Sequence, residues 1–464
     1  MPWVPRETGH PMRYRSTRGG GDWVAFSEAV LEGMAPDGGL YVPEHIPRLE
    51  LEPLRTVDYP SLVAHVLGLY SDLEPVCLER LARGAYGPDY GGEVAPLRPD
   101  PWGHQLELFY GPTLSFKDVA LQLLGHLLEE LLARRQQSLN LLVATSGDTG
   151  SAALQSVVGR SRLRCVVMFP QGRVSPVQQA QMTHFSEANT HCLEVAGTFD
   201  DCQAILKHLF RQPGLRERHR LGAVNSVNWA RLLAQCCYYV WTYLRLQRPL
   251  QVVVPTGNFG NLLSAWLAAQ MGVPFQRMLL ATNENDILHR YFQTGSYRRG
   301  RVFETLAPAM DIQVASNLER YLYFASGADA RQVGAWMSEF EQQGQVDLPR
   351  FSWPFDLDSG RVERAEILAA IRDYHREVGE VLCPHTAVAW QVMRQAGDGP
   401  WVVVATAHPG KFPEAVSLAL GQPGPSHPRL QQALQGPFRS TPLAARPEAV
   451  ADWLEQHLAP GRTV

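Results

Sequence analysis

Little in this sequence supports a secreted, membrane-spanning or nucleic-acid-binding protein. Its seven cysteines are odd in number and include no CxxC pair, and no Asn-x-Ser/Thr sequon occurs. Reduced thiols in a cytoplasmic setting are therefore expected, rather than a disulfide framework. No apolar run reaches the length needed to cross a bilayer. An excess of one charge sign is missing too. The net charge of −4 gives no electrostatic reason to expect nucleic acid or an anionic membrane as partner. There is no solenoid repeat, no long low-complexity segment, no Walker sequence and no GxGxxG.

What is present suits a globular enzyme: 45% hydrophobic and 19% charged residues over a chain of 464. That length exceeds one typical core, so two or three domains are expected. We place them at 1–100, 101–245 and 246–464. The opening "MPWVPRETGHPMRYRSTRGGG" has four arginines before its first Asp, as transit peptides do, but Glu7 counts against mitochondrial targeting. Residues 1–11 read as an extension ahead of Met12. The oligomeric state is not legible.

Short Val/Leu-rich runs repeatedly meet helical patterns. "LNLLVATSGDTGSAALQSVVG" and "LQVVVPTGNFGNLLSAWLAAQ" each read as strand, turn and helix, and "WVVVATAHPGKF" begins the same way. "RCVVMFP" and "RMLLATN" are further strands. Continuous rather than alternating apolar runs predict parallel strands covered on both faces, hence an α/β fold. After Lys117, Ala120, Leu123, Leu124, Leu127, Leu128 and Leu131 recur at helical spacing and predict a core-facing helix. The stretch from Val346 to Arg361 reads as a loop, because Pro and Gly break both periods.

Three local patterns carry chemistry. Lys117, in "GPTLSFKDVA", stands between a Gly-Pro turn and that helix. "TGNFGN", Thr256 to Asn261, joins a strand to a helix, and its glycines let backbone N–H groups approach an anion. An ordinary βα turn would look similar. "TSGDTGSAA", Thr145 to Ala153, places Ser146, Asp148 and Thr149 at another strand end, where they also suit a helix cap. A lysine, a phosphate-sized glycine turn and a polar turn together are what pyridoxal 5'-phosphate requires.

The motifs in order are "YRSTRG", "VAFSEAVLEGMAPDGGLYVP", "GPTLSFKD", "SGDTGSAA", "FPQGRVSPVQQAQMT", "GTFDDCQ", "NSVNWARLLAQ", "VPTGNFGN", "MDIQVASNLERYL", "CPHTAVAW" and "TAHPGKF". Across almost the whole chain this series resembles the threonine synthase family of fold-type II pyridoxal-phosphate enzymes, including its threonine synthase-like members. The resemblance implies parallel sheets flanked by helices and an N-terminal accessory domain. It implies Lys117 as the Schiff-base lysine. Gly257, Asn258, Phe259, Gly260 and Asn261 would hold the cofactor phosphate, Thr406 the ring nitrogen, and Asp148 would sit near the ring's phenolic oxygen. Ser146 and Thr149 would bind substrate; Asn228, Arg231 and Arg173 would take its phosphate. No metal is implied.

Three residues depart from the family pattern: Ser115 where a small apolar residue is common, Cys383 where Asp is usual, and His184 where Thr is usual. The implied activity is elimination of phosphate from O-phosphohomoserine or O-phosphothreonine. These departures tilt the expected product to 2-oxobutyrate and ammonia rather than threonine. A serine/threonine dehydratase and a catalytically silent cofactor-binding or signalling protein are the alternatives.

Overall fold

The computed structural model describes residues 11–145, 147–224, 226–397 and 399–458. The extension at residues 1–10 lies outside them. Two parallel sheets form the frame. The five-stranded sheet runs in the order 441–444, 190–196, 163–170, 139–144, 221–223, with every neighbouring pair parallel. The six-stranded sheet runs 356–361, 275–282, 250–255, 401–405, 103–107, 97–100, parallel except for the antiparallel edge pair 97–100 and 103–107. The predicted Val/Leu runs form the interior strands. Trp401–Ala405, for example, is buried at all five positions, as a strand covered on both faces must be.

Chain order and sheet membership do not coincide. Strand Gly103–Glu107 pairs with Trp401–Ala405, far away in sequence, and Thr441–Ala444 returns to pair with the strand Thr190–Ala196. Residues just after strand Leu139–Ala144 line one cavity with Lys117, whose helix start is hydrogen-bonded to Thr406 at the end of strand Trp401–Ala405; such strand ends are where open α/β sheets gather ligands. At the N-terminus, strands 24–25, 13–16 and 41–43 form a small antiparallel sheet.

Lys117 opens a helix running to Arg134, and the predicted stripe Ala120, Leu123, Leu124, Leu127, Leu128 and Leu131 is buried. This helix lies against helices Asp148–Val157, Trp229–Leu246 and Pro75–Ala85. Each fully buried leucine of the stripe stabilises the packing by about 1.5–3 kcal/mol, which anchors the segment carrying Lys117. The stretch 346–361 departs from its reading as a loop. Gln345–Asp347 pairs antiparallel with Ser296–Arg298, and Asp356–Arg361 is a parallel edge strand beside Phe275–Thr282. Being at an edge, that strand keeps polar residues such as Asp356 and Asp358, and Arg277 Nε lies 3.3 Å from the Asp356 carboxylate.

All seven cysteines are free and buried. Among the described residues no helix is long and apolar enough to cross a membrane, and no group of His, Cys, Asp and Glu is arranged to hold a metal.

Candidate active site

The lysine helix begins where two segments meet. Phe116 N–H donates to Thr406 O at 2.8 Å, so the start of the Lys117 helix is tied to the end of strand Trp401–Ala405. Asp118 fixes the preceding turn: its carboxylate accepts from Thr113 N–H at 2.8 Å and from Thr113 Oγ1 at 2.6 Å. Gly111 is required here, because a Cβ would lie 2.5 Å from that of Asp118. Ser115 is fully buried and its hydroxyl has no hydrogen-bond partner among the described residues.

Lys117 faces Asp148, the first residue of helix Asp148–Val157, with Nζ 3.7 Å from Oδ2. Thr149 is half-buried beside it, and Ser146 lies outside the described residues. A second lysine completes the cluster. Lys411 is 0% exposed; its Nζ lies 3.0 Å from Asp148 Oδ1 and donates to Thr113 O at 2.6 Å. Gln178 Nε2 donates to the same Oδ1 at 3.1 Å. Burial works to raise the Asp148 pKa, but Lys411 and Lys117 outweigh it and hold the carboxyl well below the usual range. Burial lowers the pKa of Lys117, as do the charges of Lys411 and Arg231, against the attraction of Asp148. A lysine made easier to deprotonate in this way is suited to nucleophilic and acid–base work.

The glycine turn at residues 256–261 joins strand Leu250–Pro255 to the next helix. Phe259 adopts a left-handed conformation, φ 65°, and Gly260 begins helix Gly260–Gln270. The first N–H groups of that helix point out of its end. A Cβ on Gly257 would come 2.9 Å from Ala309 O, so backbone packs directly onto the turn. Asn258 O accepts from Asn317 N–H at 3.1 Å and from Asn317 Nδ2 at 3.3 Å. Asn317 in turn accepts from Arg320 at 2.8 Å, and Arg320 Nε donates to Tyr41 O at 2.9 Å. The N-terminal sheet thereby braces the turn. Asn261 Oδ1 accepts from Tyr238 and Tyr239 hydroxyls at 2.5 and 2.7 Å, while its Nδ2 is buried with no partner among the described residues. An unused buried donor beside a helix N-terminus and a glycine turn fits a phosphate group.

The three residues assigned to the substrate phosphate differ in their surroundings. Arg231 is 4% exposed, its pKa is lowered to about 10 by burial, and its charge acts on Lys117. Arg173 is exposed on the turn after strand Leu163–Pro170. Asn228 caps helix Trp229–Leu246: Oδ1 accepts from Ala230 N–H at 3.1 Å, and Nδ2 donates to Val30 O at 2.8 Å. Thr406 is buried, and its N–H donates to Thr386 Oγ1 at 3.3 Å. Cys383 caps helix Pro384–Ala396, its Sγ accepting from Thr386 N–H at 3.4 Å. His184 lies apart, lining a separate cavity with Gln181 and Arg429.

Four site residues went unassigned in the sequence: Lys411, Gln178, His385 and Asn317. Lys411 and His385 stand in the motifs "TAHPGKF" and "CPHTAVAW", which also hold Thr406 and Cys383. A second lysine six residues after a strand end was the available signal.

Comparison with known proteins agrees with this geometry. The chain matches a family described as pyridoxal-phosphate dependent enzyme over residues 105–407. Residues 13–86 match threonine synthase N terminus, and residues 386–454 match threonine synthase, C-terminal. Threonine synthase of Schizosaccharomyces pombe is 39% identical, the alignment covering 88% of this chain and 89% of that one. Threonine synthase-like 2 of Rattus norvegicus is 36% identical over 88% of this chain and 89% of its own. A crystal structure of PLP-bound threonine synthase from Brucella melitensis superposes with a TM-score of 0.92 at 38% identity, covering 96% of this chain and 99% of that one. A pyridoxal-phosphate-dependent enzyme is the class that fold and crevice define. Within that class, the chain belongs to the threonine synthase family. Its cofactor is pyridoxal 5'-phosphate.

Proposed function

We propose that this enzyme eliminates phosphate from O-phosphorylated hydroxy amino acids, O-phosphohomoserine and O-phosphothreonine, giving 2-oxobutyrate, ammonia and phosphate. One observation carries the reading: Lys117 and Lys411 meet the buried carboxylate of Asp148 at 3.7 and 3.0 Å, and the charge of buried Arg231 also reaches Lys117. Cations gathered around the lysine suit an anionic substrate, and a phosphorylated amino acid supplies such a group.

Lys117 anchors the cofactor and then moves protons at Cα and Cβ of the substrate. The cofactor supplies an electron sink for the charge that develops there. Gly257 to Asn261 would hold the cofactor phosphate, and Thr406 would meet the ring nitrogen. Asp148, fixed by Lys411 and Gln178, would stand near the phenolic oxygen. Thr149 and Ser146 bind the substrate's amino-acid end. We assign Arg231, rather than exposed Arg173 or capping Asn228, to the substrate phosphate; a guanidinium fork suits that group. Phosphate leaves with the C–O electron pair, from the γ carbon of O-phosphohomoserine or the β carbon of O-phosphothreonine. One water then converts the unsaturated amine to the keto acid and ammonia.

A second reading, formation of threonine by addition of that water at Cβ, is favoured by the likeness to the Schizosaccharomyces pombe threonine synthase. Buried, reduced thiols suit a cytoplasmic enzyme. Comparing O-phosphothreonine with threonine as sources of 2-oxobutyrate tests the phosphate requirement. Equal turnover of the two would make the protein a dehydratase instead.

A further inference from the structure

His385 is 4% exposed and lines the same cavity as Lys117, Gly147, Asp148 and Thr149. Burial, with Lys117 and Lys411 nearby, outweighs the attraction of Asp148 and lowers its pKa to about 4. The ring is therefore neutral near pH 7 and carries a single N–H. Ala309 N–H donates to Nε2 at 3.1 Å, so Nε2 is the acceptor and the proton resides on Nδ1. That Nδ1 is buried and has no hydrogen-bond partner among the described residues. A buried donor left without an acceptor is unfavourable, and a bound ligand is what removes the penalty.

The surroundings narrow the ligand group. Gly147, Asp148 and Thr149 form the N-terminal turn of helix Asp148–Val157, whose free N–H groups and dipole favour an anion. Both oxygens of Asp148 are already engaged by Lys411, Gln178 and Lys117. The phosphate turn at 257–261 and Arg231 do not line this cavity. We propose that His385 Nδ1–H donates to the α-carboxylate of the bound amino acid, opposite the helix turn at Gly147–Thr149. His385 is thus a substrate-binding residue whose tautomer is set by the Ala309 backbone. This assignment rests on the reading of the crevice as an amino-acid site.

Two substitutions separate the ring's two nitrogens. In His385→Gln the side-chain oxygen can reach the Nε2 position, which keeps an acceptor for Ala309 but removes the Nδ1 donor. In His385→Asn the amide nitrogen can occupy the Nδ1 position and restore the donor. The holoenzymes are titrated calorimetrically with L-2-aminobutyrate, which has a carboxylate but no leaving group, and separately with inorganic phosphate. His385→Gln should weaken aminobutyrate binding about tenfold or more, while His385→Asn should stay within about threefold of wild type. Phosphate binding should not change in either. Unchanged aminobutyrate affinity in His385→Gln overturns the proposal. So does selective loss of phosphate binding, or a shifted absorption spectrum of the ligand-free holoenzyme, which would place the donor on the cofactor. If His385→Gln melts well below wild type, loss of aminobutyrate binding in well-folded His385→Asn overturns it as well. These titrations involve no turnover, so they remain readable if no phosphate is ever released from an O-phospho amino acid.

Discussion

Replacing Lys411 with Met removes an ammonium that is 0% exposed and contacts Asp148 Oδ1 at 3.0 Å and Thr113 O at 2.6 Å. Deleting one partner of a buried ion pair costs about 3–5 kcal/mol, because the other charge stays buried. Here Asp148 keeps Gln178 at 3.1 Å and Lys117 at 3.7 Å, and Thr113 O keeps Gln181 Nε2 at 3.1 Å. We therefore expect the low end, about 3 kcal/mol, read from urea unfolding of the cofactor-free protein. Adding Asp148→Asn removes the stranded charge, so the double variant should recover about 2 kcal/mol relative to the sum of the single losses. The same substitution has an electrostatic consequence. The Lys411 charge lowers the pKa of Lys117, so its loss raises that pKa and leaves less neutral amine at a given pH. The pH profile for capture of added pyridoxal phosphate should move to higher pH. Additive losses in the cycle, together with an unmoved pH profile, would refute the coupling of the two lysines through Asp148.

Arg231→Ala should lower kcat/KM for O-phosphohomoserine about ten- to a hundredfold, the loss of a charge-assisted contact, and leave cofactor binding intact; an equal fall on unphosphorylated substrates would make Arg231 a structural or carboxylate-binding residue. Gly257→Val should lower both the melting temperature and the cofactor occupancy after dialysis, because a Cβ there meets the Ala309 backbone O at 2.9 Å and displaces the turn; wild-type occupancy after dialysis would contradict the cradle. His126, His191, His385 and His408 each have a pKa lowered by burial from 6.5 to about 4. The unfolded chain binds more protons in that window, so stability is fully present above pH 6.5 and is lost as pH falls toward 4. A flat urea midpoint across that range would show that these rings are not held neutral.

The sequence revealed residues that sit at strand–helix junctions. The places of Asp148 and of Gly257 to Asn261 between strand and helix, and of Lys117 at a helix start, were legible because apolar run, polar turn and helical stripe follow one another locally. Residues that reach the site through tertiary packing were not. Lys411 meets Asp148 only because strand Trp401–Ala405 pairs beside Gly103–Glu107, and Asn317 reaches the phosphate turn through a contact linked to Tyr41. Asn228, which the motif places at the substrate phosphate, uses its Oδ1 in the helix cap and its Nδ2 on the N-terminal segment, contacts that only the folded chain reveals. The edge strand Asp356–Arg361 was missed because half of its surroundings are solvent, so its polar residues imitate a loop.

The most direct test of the proposed reaction is incubation of the holoenzyme with O-phosphohomoserine, with phosphate, 2-oxobutyrate and threonine measured in the same sample. Phosphate and 2-oxobutyrate should appear in equal amounts with threonine a minor product, and Lys117→Ala should produce neither. Threonine equal to the phosphate released would make the protein a threonine synthase in activity. Absence of phosphate release from both O-phosphohomoserine and O-phosphothreonine would contradict the account.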